Sequence, residues 1–193
     1  SIKELVSDVY SQFTSPAELK GIDLVLTLPE QDLVSMVDRD KISKILVNLV
    51  GNAIKYARQY IELKLVTGEE GYEIWVSDDG IGVPDAQKLK IFEAFYQLPG
   101  DQVAAASGTG IGLAFAKSLA QAHNGNLYLE NNDGGGSSFI LSLPIKEWEE
   151  DAADIVELYT ESEEVSEEET SEFSGKKFTV LLVEDNVELL NLT

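Results

Sequence analysis

The sequence predicts an α/β two-layer sandwich, a mixed, mostly antiparallel sheet with helices packed on one face. Three observations carry that expectation. Residues 60–66 and 72–76 alternate apolar and polar side chains around a Gly-Glu-Glu-Gly turn at 68–71, the pattern of a hairpin. Residues 40–57 carry apolar side chains at helical steps of three and four, and 111–123 reads as a second helix. Two short strands, 127–130 and 138–143, close the patterned region around a glycine-rich turn at 133–136.

Taken in order, residues 2–20 read as a helix with Leu5, Val9, Phe13 and Leu19 inward. Ser15-Pro16 either opens a new turn or kinks that element. Residues 24–28 and 33–37 read as short strands joined by a hairpin-like turn at 29–32. Asp38 or Asp40 then caps the 40–57 helix, whose inward stripe is Ile42, Ile45, Leu46, Leu49 and Ala53. After the hairpin, 78–84 is a glycine-punctuated turn and 86–95 a helix or helical turn. Residues 96–109 have little apolar pattern, and a loop that long in a compact domain is usually functional, so a mobile lid is expected.

The pattern changes beyond residue 145. Trp148, Ala152, Ile155 and Tyr159 are spaced for a short amphipathic helix, and 160–175 is a self-repelling acidic tether. Residues 176–183 (KKFTVLLV) read as a buried-type strand ending in Glu184-Asp185-Asn186. Three segments are therefore expected: a folded domain over 1–145, an acidic linker with a short helix over 146–175, and the start of another domain over 176–193.

Composition narrows the function classes. The 193 residues are 44% hydrophobic, as in a globular protein. No run of about 18 apolar residues occurs and the first residues do not read as a secretory signal, so no membrane span is expected. Without cysteine, disulfides, zinc–thiolate sites and cysteine nucleophiles are excluded, and a reducing compartment is allowed. The net charge of -21 is concentrated: residues 147–172 hold 13 acids and no Lys or Arg, leaving 22 acids against 14 bases elsewhere. Direct nucleic-acid binding is not expected from a chain with so little basic surface.

Three places can carry chemistry. Asn48, Asn52 and Lys55 stand at i, i+4 and i+7 on the polar side of the 40–57 helix, with Lys41 and Lys44 beside them. Such a row is either a solvated face or a site for phosphate and a hard metal: Asn52 can offer an amide oxygen to Mg²⁺, and Lys55 a point charge to phosphate. Asp78 ends a strand, where a carboxylate can accept from an exocyclic amine such as that of adenine. Gly80 and Gly82 then leave room for a flat base, unless they only supply turn dihedrals. Gly108, Thr109, Gly110, Ile111, Gly112 and Leu113 run into a helix, so free backbone N–H groups can meet phosphate there. The last run lacks the preceding strand of a Rossmann turn and the following Gly-Lys-Ser/Thr of a P-loop.

Together, the order and spacing of these motifs resemble the ATP-binding region shared by histidine kinases, type II topoisomerases, Hsp90-type chaperones and MutL-type repair proteins, the GHKL superfamily with the Bergerat fold. The resemblance covers roughly residues 1–145. NLVGNAIKY at 48–56 is similar to the histidine-kinase N box, DDGIG at 78–82 to the G1 box, IFEAFY at 91–96 to the F box and GTGIGL at 108–113 to the G2 box. It implies ATP with Mg²⁺ as cofactors. Asp78 would read adenine, with Gly80 and Gly82 beside the base and Tyr56 packed at the nucleotide edge. Asn52 would hold Mg²⁺ with Asn48 assisting, and Lys55 with the Gly108–Gly112 amides would hold phosphates. Asn48, Asn52 and Lys55 are then the expected catalytic residues.

Resemblance also selects a branch. ATP-hydrolysing members usually carry a glutamate where Asn48 stands, and an amide takes no proton at neutral pH. This favours phosphoryl transfer to a histidine for relay to a receiver aspartate in two-component signalling. The alternatives are a nucleotide-binding module without transfer activity and an ATP-hydrolysing relative. FTVLLVEDN at 178–186 is similar to the first strand of a response-regulator receiver domain, which implies a hybrid sensor kinase. His123, the single histidine, reads as a helix-end residue complementing the dipole. The acceptor is therefore expected on a histidine-bearing dimerisation domain outside this chain, residues 2–20 being too short to supply it. The implied partners are that domain and a receiver domain or response regulator. The implied setting is a homodimeric bacterial sensor, membrane-anchored, with this portion cytoplasmic. One departure stands out: residues 97–107 contain no Lys or Arg, where the family often places a basic residue to balance ATP charge.

Overall fold

The computed structural model describes residues 1–98, 109–132 and 134–146, all within one compact unit, Ser1–Trp148. The expected tip of the lid at 99–108, the helix around 148–159, the tether and the strand at 176–183 lie outside the described residues.

Helix α1 (Ile2–Leu19) starts at Ser1, whose hydroxyl accepts the Glu4 N–H at 3.0 Å. It runs through Pro16 and ends in a Schellman turn. There Gly21 N–H reaches the Glu18 carbonyl and Ile22 N–H that of Ala17, with Gly21 at φ +68°. Strand β1 (Asp23–Thr27) follows, then helix α2 (Arg39–Tyr56), whose N-cap is Asp38, accepting the Lys41 N–H at 3.0 Å. Strands β2 (Tyr60–Thr67) and β3 (Gly71–Asp78) form the expected hairpin. Helix α3 (Gly112–Ala122) precedes β4 (Asn126–Asn131) and β5 (Ser137–Pro144).

The five strands lie in the order β1-β2-β3-β5-β4. Only β1 and β2 run parallel, because α2 crosses between them; the other three pairs are antiparallel. Period-two alternation sends Ile61, Leu63 and Leu65 of β2, Tyr72, Ile74 and Val76 of β3, and Phe139, Leu141 and Leu143 of β5 to one face. There they meet Ile42, Ile45, Leu46 and Leu49 of α2, all fully buried. Truncating any one of these α2 residues to alanine costs about 2–5 kcal/mol. The outer face is stitched by polar pairs: Glu73 accepts from Trp75 Nε1 at 2.9 Å and from the Tyr128 hydroxyl at 3.0 Å.

Two sequence expectations are corrected. Residues 33–37 form no strand. Leu33 and Val37 pack on the core, and the backbone makes single bonds instead, Ile2 N–H to the Leu33 carbonyl and Met36 N–H to that of Lys146. Residues 86–95, expected as a helix or helical turn, take the second form, with 3₁₀ turns at Asp85–Gln87 and Lys90–Phe92. Leu19 is 88% exposed rather than inward, since the last turn of α1 rests on Ala17 instead.

Candidate functional site

Helix α2 has one face in the core and the other on a cavity of about 840 Å³. The helical steps that bury Ile45, Leu49 and Ala53 carry Asn48, Asn52, Lys55 and Tyr56 onto that second face, and all four line the cavity. Asp78, Gly82, Thr109, Gly110, Gly112 and Leu113 line it as well. Gly80 and Ile111 do not, and Gly108 lies outside the described residues.

Gly80 has a different task from the expected one. A Cβ there would stand 2.5 Å from the Tyr56 carbonyl oxygen and 2.7 Å from the Asp78 carboxylate. Its N–H donates to Asp78 Oδ1 at 2.8 Å, so it seats the carboxylate instead of forming wall. Ile111 sits at the N-cap position of α3 with its side chain partly in solvent.

Asp78 is the one carboxylate among the described residues of the wall, and it is only 5% exposed. Burial pushes its carboxyl above the ordinary range, while hydrogen bonds from the Gly80 and Ser137 N–H groups pull the other way. Lys20 and Lys55 are the cations of the wall. The Lys55 ammonium stands 5.0 Å from the centre of the Tyr56 ring.

The opposite end of the cavity is built by glycine contacts. Asn48 Nδ2 donates to the Lys44 carbonyl at 2.8 Å, which leaves Oδ1 directed at Gly112. Ile111, at the N-cap position of α3, makes no side-chain cap bond, and the first N–H groups of a helix can meet an anion. Gly110, at φ +71°, presses against Phe95, whose N–H donates to the Gly110 carbonyl at 2.9 Å. Phe95 itself takes φ +66°, and its side chain is 75% exposed. Residues 95 and 110 thus pin the two ends of the expected lid together.

Sequence reasoning missed the part supplied by β4, β5 and α1. Ser137 lines the cavity and donates its N–H to Asp78. Asn132 Nδ2 holds the Asp78 carbonyl at 2.9 Å, and Asn131 clamps both the N–H and the carbonyl of Val83, at 3.2 and 2.8 Å. Lys20 lines the wall and donates to the Ile54 carbonyl at 3.3 Å. The run of glycines at 134–136 was a usable signal, since Gly136 must lie flat against Asp78. Nothing local marks Lys20, Asn131, Asn132 or Ser137. His123 is the C-cap of α3, its Nδ1 2.8 Å from the Leu119 carbonyl oxygen.

No group of three or more His, Cys, Asp or Glu that could hold a metal ion occurs among the described residues. Amide oxygens beside an anion site suit a hard cation that keeps water and phosphate oxygens in its shell, so the donor set fits Mg²⁺. No helix among the described residues is long and apolar enough to cross a membrane.

The profile of the family described as histidine kinase-, DNA gyrase B-, and HSP90-like ATPase matches residues 37–147. The sensor histidine kinase WalK of Bacillus subtilis (strain 168) is 34% identical over 154 residues, covering 78% of this chain and 25% of its own length. Among solved structures, the catalytic domain of histidine kinase ThkA superposes with a TM-score of 0.67 at 28% identity, covering 76% of this chain and 95% of that one. Full-length ShkA in complex with AMPPNP gives a TM-score of 0.68 at 26% identity, covering 77% of this chain and 31% of that one. The chain spans about a quarter of the length of the curated relative.

Proposed function

The chain belongs to the histidine kinase-, DNA gyrase B- and HSP90-like ATPases, as the ATP-binding catalytic domain of a sensor histidine kinase, and from that premise we propose that it transfers the ATP γ-phosphoryl group to a histidine on another domain. The observation that supports this best is the polarity of one cavity. A buried carboxylate, Asp78, stands beside the C-terminal end of α2, where Gly80 meets both it and the Tyr56 carbonyl, and Asn48, about two turns back along α2, meets Gly112 in the first turn of α3.

In this reading Asp78 accepts from the exocyclic amine of adenine, and Tyr56 packs against the edge of the base. Gly82 leaves room for the ring. Lys55 and the backbone N–H groups of the Gly108–Gly112 run bind phosphates. Asn52, with Asn48, would hold Mg²⁺, which neutralises charge on the phosphate oxygens when bound. Asn48 takes up no proton at neutral pH, so it orients its ligand and does not activate water. Rate enhancement then comes from positioning and charge stabilisation. The acceptor would be a histidine-bearing dimerisation domain of the same protein, followed by a receiver domain or response regulator. A homodimeric, membrane-anchored sensor with this part in the cytoplasm is the arrangement this reading implies.

Mixing the chain with ATP, Mg²⁺ and a separately made histidine-bearing domain tests the proposal. Acid-labile phosphohistidine on the second domain is expected, and its absence despite ATP binding would reduce the chain to a nucleotide-binding module. Steady phosphate release by the chain alone would instead mark an ATP-hydrolysing relative.

A further inference from the structure

We propose that Asp79 is a positioning residue for the base end of the cavity, holding the C-terminal end of α2 at a set distance from the end of β3. This rests on the nucleotide reading of the cavity but assigns a task to a side chain that does not line it. Asp79 Oδ1 accepts the Arg58 N–H at 2.8 Å, and both carboxylate oxygens accept the Gln59 N–H at 3.1 Å. Its own N–H donates to the Tyr60 carbonyl at 3.2 Å. One residue thereby ties the α2–β2 junction to the segment that follows β3.

The tie matters because of what it spans. Arg58 and Gln59 lie two and three residues beyond Tyr56, and Asp79 directly follows Asp78. The Tyr56 carbonyl and Asp78 carboxylate also share Gly80 as a spacer, at 2.5 and 2.7 Å from its Cβ position. Tyr56 and Asp78, on different elements, are therefore held by a carboxylate clasp on one side and a glycine contact on the other. Arg58 N–H is free for the clasp because α2 has already ended, its last turn closed by Ala57 N–H on the Ala53 carbonyl. Burial raises the Asp79 carboxyl, but the N–H groups of Gln59, Tyr60 and Arg58 outweigh it and hold the carboxyl below its ordinary value.

The clasp is expected to govern discrimination between bases and not the grip on phosphate. Affinities for ATP, GTP and magnesium tripolyphosphate, measured by calorimetry on wild type, Asp79→Ala and Asp79→Asn, separate the two. Asp79→Ala should lower the preference for ATP over GTP about tenfold, the worth of one or two charge-assisted hydrogen bonds, and leave tripolyphosphate binding unchanged. Asp79→Asn keeps an acceptor and should restore most of the preference. Equal losses for all three ligands, or an unchanged ATP preference in a folded Asp79→Ala protein, would overturn the proposal. If that variant does not fold, NMR of the wild type decides: the Arg58 and Gln59 amide protons should titrate with the Asp79 carboxyl, and their failure to do so would equally overturn it. Absence of ATP binding by the wild type is a separate result that would sink the nucleotide reading itself.

Discussion

The Asn48 side-chain oxygen stands 2.6 Å from where a Cβ on Gly112 would lie, so α2 and the first turn of α3 meet through an amide and a glycine. The contact closes one end of the cavity and sets which way the Asn48 oxygen points. Gly112→Ala would push only the end of a side chain, which can rotate away. Stability should change by less than about 1 kcal/mol, whereas Mg²⁺–ATP affinity should fall roughly tenfold as the amide leaves its place. Denaturation and titration calorimetry on one preparation read both quantities.

Gly136 makes the opposite case. A Cβ there would fall 1.9 Å from the Asp78 carbonyl oxygen, at φ +92°, and the atoms it meets are all backbone of Asp78 and Asp79. Neither partner can rotate away, so Gly136→Ala should destabilise the domain by about 3 kcal/mol or more. A urea midpoint no lower than that of the wild type would show that the β4–β5 turn does not bear on Asp78 as described.

Asp78 carries a pH signature. Burial raises its carboxyl in the folded state above the ordinary value of 3.8. The folded protein thus holds this proton more tightly than the unfolded chain does. The group adds stability below the unfolded value and loses that contribution as pH rises through the folded one. The stability of wild type relative to Asp78→Asn should therefore fall between acid and neutral pH, measured as urea midpoints from pH 4 to 7. ATP affinity of the variant should drop at least tenfold at neutral pH. A binding constant equal to wild type would remove the adenine role.

Lys55 is expected to act on phosphate as a point charge. Lys55→Met should weaken ATP binding about tenfold, leave adenosine binding unchanged, and show a gap that narrows as salt is raised. Equal losses for ATP and adenosine would assign the effect to packing on Tyr56, over whose ring the ammonium stands.

How much could be read beforehand depended on how local each signal was. The polar row of α2 was legible because i, i+4 and i+7 share a face in any helix, whatever surrounds it. The β2–β3 hairpin was legible for the same reason at period two. Residues 33–37 misled because a short apolar run marks burial, and burial was achieved by Leu33 and Val37 without a strand partner. The contacts of Gly80 with the Tyr56 carbonyl and Asp78 could not be read from its motif, since only the folded chain brings the Tyr56 carbonyl against it.

The family, most of the elements and the face of α2 that meets the cavity were legible in the chain alone. These follow from short-range periodicity and from the spacing of four motifs. Packing supplies what completes the cavity: Lys20 just after α1, Ser137 from β5, and the Asn131, Asn132 and Asp79 bonds beside it. Those residues are tens of positions from their partners and repeat with no local period. Their roles arise only once hydrophobic burial has packed α2 and α3 onto the sheet and closed the distances to hydrogen-bonding range.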